Sequence, residues 1–202
     1  MLDIDRILWP TDLSEGAEQA FPYAMALADW HDAALHVLNV REGPAEVQEE
    51  MARALPLSDD DLDALFGATD TPPDSVNPSR VSIVQEQVED PAPGDAIVSY
   101  TEDHDVDLVV MGTHGRRGLQ RLLIGSVAEE VLRRAACPVL TVRQSDTTPA
   151  AWNVRNILAP VDFSEASTAA VQHTKELALT YGAKISLLHA VEEVMYPSAY
   201  GM

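Results

Sequence analysis

The chain has 202 residues, with 33 Asp and Glu against 13 Lys and Arg, for a formal charge of −20. So large an acidic excess repels phosphate over long range and excludes nucleic acid or an anionic membrane surface as the main partner. At 46% apolar residues the chain can bury a core, and the lone cysteine, Cys137, leaves no intrachain disulfide.

Residues 1–6 hold neither a basic n-region nor an apolar h-region, and no run of roughly 18 apolar residues follows that would insert in a membrane. A cytoplasmic protein in a reducing compartment is therefore expected. The acidity has a particular makeup: Asp supplies 18 of the acids, and Lys175 and Lys184 are the only lysines. Adaptation to high salt, which screens self-repulsion, and an ordinary acidic surface are equally weighted readings.

In chain order, a short apolar strand at Ile7-Leu8-Trp9 stops at Pro10. Asp12 and Ser14 then offer N-cap oxygens, and Glu15 suits the positive end of a helix. Ala20, Ala24, Leu27 and Ala28 give that helix an apolar stripe, and a strand over residues 34–40 follows. Pro22 fits only if the helix starts late; otherwise it kinks it. Residues 41–80 carry five prolines and the run Asp59-Asp60-Asp61, and Ser58 is placed to cap a short helix through Phe66. Then come a strand at 81–88, a helix at 94–104, a continuous apolar strand at 108–111, a helix at 126–135 and a strand at 139–142. Strands alternating with helices predict an α/β fold, a mainly parallel sheet covered on both faces.

The opening unit recurs. Residues 7–42 align without gaps to 157–192, with Ile7/Ile157, Leu8/Leu158, Pro10/Pro160, Asp12/Asp162, Ser14/Ser164 and Glu15/Glu165 matched. The expected organisation is a complete domain over residues 1–143, a linker at 144–154 and a partial second domain at 155–202 holding β-α-β. So small a unit buries little surface. Packing on the first domain, exchange with another chain and loose order stay open for it.

The chemically informative segment runs from Met111 to Val127, after a buried strand and into a helix. Gly112, Gly115 and Gly125 let backbone N–H groups approach an anion closely. Ser126 stands at a helix N-terminus, where a hydroxyl and free N–H groups meet phosphate oxygens. Residues 111–143 hold six Arg and two Glu, a local +4 that leaves −24 for the rest. The segment is neither a Walker loop nor a dinucleotide fingerprint.

The pattern Gly112-x2-Gly115-x9-Gly125-Ser126, preceded by Asp107-Leu108-Val109-Val110-Met111 and followed by Cys137-Pro138-Val139, closely resembles the universal stress protein family. Ile7 to Ser14 resembles the family's opening as well. The resemblance implies a Rossmann-like, doubly wound, five-stranded parallel sheet in order 3-2-1-4-5, and ATP as ligand where the full glycine motif is present. In that order the first and fourth strands flank the point where the winding reverses, so their loops emerge side by side.

By position, the resemblance implies that Pro10, Thr11 and Asp12 stand at the site, with Asp12 toward the ribose or adenine. It places Val40 near the base and Met111 and Gly112 on the floor. It assigns Gly115, Arg116, Gly125, Ser126 and Val127 to the phosphates, and Asp12 to Mg²⁺ through Mg-ATP. Trp9 stands where a small aliphatic residue is usual and would crowd or stack near the pocket. Asp12 also reads as a helix cap, a role its twin Asp162 fits better. Cys137 reads as buried, and Arg133 and Arg134 as compensation of a helix dipole.

Three functions are weighed. The leading one is an ATP-binding stress or regulatory protein, not itself an enzyme, whose nucleotide-dependent conformation or oligomeric state is read by a protein partner. A slow ATP hydrolase, with Asp12 on Mg²⁺ and His114 on water, is the alternative. The third is an interaction module with a vestigial nucleotide site. The resemblance also implies a dimer through the last strand, Val139 to Arg143, an open edge that the partial unit would otherwise cover as a pseudo-dimer.

Overall fold

Strands buried on both faces need apolar residues at nearly every position, and Ile7-Leu8-Trp9 and Val109-Val110-Met111 meet that requirement. In the computed structural model, which describes residues 3–43, 56–67, 77–113, 124–143 and 154–191, these runs form β1 (Arg6–Pro10) and β4 (Leu108–Gly112). Between them lie α1 (Glu15–Glu18), α2 (Phe21–His31), β2 (Ala34–Arg41), α3 (Asp59–Gly67), β3 (Ile83–Glu89) and α4 (Pro93–Asp103). After β4 come α5 (Ser126–Arg134) and β5 (Val139–Val142), and then β6 (Asn156–Pro160), α6 (Glu165–Tyr181) and β7 (Lys184–Leu188). The chain divides into a unit over residues 3–152 and a smaller one formed chiefly by residues 153–202.

The larger unit has a five-stranded sheet in order β3-β2-β1-β4-β5, with every pair parallel, the order that the resemblance implies. Both faces of its centre are covered. Leu8, Leu38, Val109 and Met111 pack with Ile97 and Tyr100 of α4 and with Ala128 and Val131 of α5. Residues of the opposite parity lie under α1 and α2, where Trp9 meets Phe21 with ring centroids 4.7 Å apart. The Asp107 carboxylate accepts from the Asp5 and Arg6 N–H groups at 2.9 Å each, tying the amino end of β1 to the approach of β4.

The single helix expected after Ser14 is two helices. Ser14 caps α1 by accepting from the Ala17 N–H, the chain breaks at Gln19 and Ala20, and α2 begins with Pro22 in its first turn. A proline is tolerated there because first-turn N–H groups have no intrahelical partner. The acidic segment forms α3 as expected. Its Ser58 hydroxyl accepts from the Asp61 N–H at 3.2 Å while the Asp61 carboxylate accepts from the Ser58 N–H at 3.1 Å, a reciprocal cap.

The smaller unit is β6-α6-β7, a parallel pair whose register repeats that of β1 and β2 at an offset of 150: Ile7↔Leu35 becomes Ile157↔Ile185. Its details repeat too. Thr11 N–H donates to Leu38 O at 2.8 Å and Val161 N–H to Leu188 O at 2.8 Å. Leu13 and Phe163 both have a positive φ, of 58° and 66°, in the turn before the helix. Gln172 replaces Pro22, and α6 runs unbroken for 17 residues.

Candidate functional site

In a parallel sheet all carboxyl ends lie on one side, so Pro10, Val40 and Gly112 are brought to the same edge by β1, β2 and β4. Beyond Pro10 the chain is held in place by polar side chains inside the sheet. Asn39, 8% exposed, donates from Nδ2 to the Thr11 carbonyl at 2.8 Å, and accepts at Oδ1 from Gln87 Nε2 at 2.8 Å. Thr11 Oγ1 accepts from the Leu13 N–H at 3.0 Å, and the Asp12 carboxylate accepts from the Ser14 N–H at 3.0 Å. Asp12 is thus part of the turn that starts α1, at the edge where the glycine segment begins. The Gln87-Asn39-Thr11 chain escaped the sequence reading; a polar Asn between Leu38 and Val40 in an apolar strand was its signal.

The glycine segment leaves β4 at Thr113 and returns at Gly125. Thr113, buried, donates its N–H to Val142 O at 2.9 Å, and its carbonyl accepts from the Gly125 N–H at 2.6 Å. This closure fixes the start of α5 beside the end of β4. Gly125 is the N-cap of α5 and supplies no side-chain acceptor, and Ser126, exposed, is the first helical residue. The helix therefore presents first-turn N–H groups without a side-chain cap, whereas α1 and α6 have theirs capped by Ser14 and Ser164.

The remaining expected residues divide. Met111 is buried in the cluster with Leu8 and Leu38, and Val40 and Val127 pack against it, so Val127 has only its backbone to offer a ligand. Gly112 has a packing reason of its own: a Cβ there would run into the Gly16 carbonyl of α1. Trp9 does not reach the edge. It is fully buried under α1 and α2, with Nε1–H donated to the Ala17 carbonyl at 3.1 Å, because Leu8 takes the opposite face and alternation sends Trp9 away. Gly115, Arg116 and His114 lie outside the described residues.

The positive charge of residues 111–143 is not all at the loop. Arg133 and Arg134 stand at the far end of α5, where Arg133 pairs with Glu129 at 3.0 Å and Arg134 with Glu130 at 2.8 Å and with Asp95. Cys137 is half-buried, and burial pushes its thiol above its ordinary value, which keeps it protonated. Asp162, the twin of Asp12, is committed to Ser164. It accepts the Ser164 hydroxyl at 2.6 Å and N–H at 2.9 Å, and these hold its carboxyl down at about 2. Among the described residues no group of three or more His, Cys, Asp or Glu could hold a metal ion, and no helix is long and apolar enough to cross a membrane.

The sequence model of the universal stress protein family matches residues 3–143 and again 153–201. Universal stress protein MJ0531 of Methanocaldococcus jannaschii is 36% identical over 145 residues, 69% of this chain and 82% of its own length. A solved universal stress protein from Archaeoglobus fulgidus shares the fold over 93% of this chain and 68% of its own, with a TM-score of 0.64 at 21% identity. Another, solved in complex with cAMP, covers 71% of this chain and 99% of its own with a TM-score of 0.50 at 23% identity.

Proposed function

The chain belongs to the universal stress protein family, and from that premise we propose that it binds ATP at the carboxyl edge of the larger unit. It acts in a stress response or its regulation through a nucleotide-dependent conformation or oligomeric state. The observation that carries this reading is the Gly125 N–H to Thr113 carbonyl bond of 2.6 Å. It sets a helix start without a side-chain cap beside the ends of β1 and β4, where uncompensated N–H groups and the helix dipole favour an anion.

In this reading the phosphates lie on Gly125, Ser126 and the Val127 N–H, with Gly115 and Arg116 completing the loop. Pro10, Thr11 and Asp12 border the ribose, with Asp12 available to Mg²⁺. Val40 lies beside the base and Met111 and Gly112 under it. That a related fold was solved with cAMP agrees with an adenine nucleotide as the ligand class. No turnover is needed: ATP favours the state that it binds better, by its differential affinity. β5 is one of the two edge strands of the sheet, the other being β3, and we assign dimerisation to it.

The test is mass spectrometry of small molecules released by denaturing the purified chain after incubation with Mg-ATP and desalting. Stoichiometric adenine nucleotide from the native chain and little from Gly125→Val is the expected result. Equal recovery from both, or from neither, overturns the proposal.

A further inference from the structure

On the α4 face of the larger unit's sheet four polar side chains meet. His36 of β2 is 8% exposed, and its Nδ1 lies 3.0 Å from the hydroxyl of Tyr100, also buried, on α4. The Glu86 carboxylate of β3 acts on the same hydroxyl. Which of His36 Nδ1 and the Tyr100 hydroxyl donates follows the imidazole tautomer. His104, the C-cap of α4, stacks on the Tyr100 ring with centroids 3.8 Å apart and planes 14° from parallel. It donates Nδ1–H to the Tyr100 carbonyl at 3.1 Å and turns Nε2 toward Glu86, 3.9 Å away.

The groups facing His36 come from three elements: Arg6 of β1, Glu86 of β3, and Tyr100 with His104 on α4. Arg6 in turn donates to the His104 carbonyl at 3.3 Å and pairs with Asp105 at 3.6 Å. A proton added to His36 would put a cation in a buried position near Arg6 and near a second imidazole, with Glu86 the one carboxylate acting on it among the described residues. Burial, then His104 and Arg6, push the His36 pKa below its ordinary value, against Glu86. Burial and Glu86 push the Tyr100 phenol up to about 12, which keeps it a donor throughout the physiological range.

We propose that the His36-Tyr100-Glu86 chain, with His104 stacked over the phenol, is an acid-sensitive latch. It holds the last turn of α4 against the sheet and releases it when His36 takes up a proton. The release lets water reach the imidazolium, which the closed packing denies it. The last turn of α4 is the element that yields, because it carries both Tyr100 and His104, and His104 is partly exposed.

The test is amide hydrogen exchange of the full chain at pH 7.5 and 5.5, with rates corrected for the intrinsic dependence on pH. The reporters are His104 N–H, bonded to the Tyr100 carbonyl, and Val106 N–H, bonded to the Thr101 carbonyl. A loss of protection at the lower pH is expected for the native chain, because a buried imidazole held below its ordinary pKa favours the folded state less once it is protonated. That fall shrinks in His36→Gln, and should His36→Gln not fold, in His104→Gln, which removes the ring stacked on Tyr100. Protection equal at the two pH values, or a fall unchanged in the folded variants, overturns the latch.

Discussion

The two copies of the opening β-α-β unit share a register, a cap and a left-handed turn residue, yet differ in what covers them. Leu8 and Leu38 are fully buried beneath α4 and α5, while their counterparts Leu158 and Leu188 are 62% and 52% exposed. β2 is buried through its middle, and all five residues of β7 are exposed. Charge differs as well: residues 4–41 hold six acids and two arginines, and residues 154–191 hold three acids and three bases. Local sequence thus specifies the strand, turn and helix in both places. A core forms only where a second layer of helices closes the other face of the sheet.

The sharpest way to break this contrast is to remove the same leucine from each copy. Leu8→Ala is expected to cost about 2–5 kcal/mol, the range for a buried leucine, whereas Leu158→Ala costs under about 0.5 kcal/mol as an exposed change. Urea midpoints measure both, and equal losses would refute the difference in cover. Next is the proline. Gln172→Pro in the middle of α6 should cost about 3 kcal/mol and lower the helical circular dichroism signal, while Pro22→Gln at the start of α2 changes stability by less than about 1 kcal/mol.

A smaller effect is expected at the contact between α1 and β4. Gly112→Ala pushes a methyl into the Gly16 carbonyl and should destabilise the larger unit by about 1–3 kcal/mol, read from its urea midpoint. Smallest is the titration of Asp162. Its carboxyl is held at about 2, chiefly by the Ser164 hydroxyl, against an ordinary 3.8. A depressed pKa stabilises the folded state above the ordinary value, and that support fades as pH falls from about 4 toward 2. Hydrogen exchange at the start of α6 should show that acid slope, and Asp162→Asn should remove it.

Much of this was legible in the sequence for identifiable reasons. Apolar runs, cap residues and the repeat placed the strands, the helix starts and the sheet order, since these follow from periodicity, local chemistry and a recognisable motif. The split between α1 and α2 was only half legible: Pro22 announced a conflict, but whether a proline kinks a helix or starts one depends on where the preceding turn ends. Trp9 alternates with Leu8, but which of the two faces α1 and α2 cover is set by the fold, and it put Trp9 beneath those helices. Gly112 read as a ligand glycine, and its close approach to Gly16 lies 96 positions away in the chain. The Asn39 bridge and the His36 cluster are contacts between strands and helices that no local pattern encodes. The motif proposes Thr11, Asp12, Gly125 and Ser126 for the site, while the closing bond between Thr113 and Gly125 needed the fold.

The central claim is that the larger unit holds a nucleotide and that its repeat, whose Asp162 is committed to Ser164 and which has no glycine segment among its described residues, does not. Isothermal titration of the full chain with ATP and Mg²⁺ tests it most directly. One ATP per chain, lost in Gly125→Val and unchanged in Asp162→Asn, is the result predicted. No heat of binding, two sites per chain, or binding that survives Gly125→Val would contradict it.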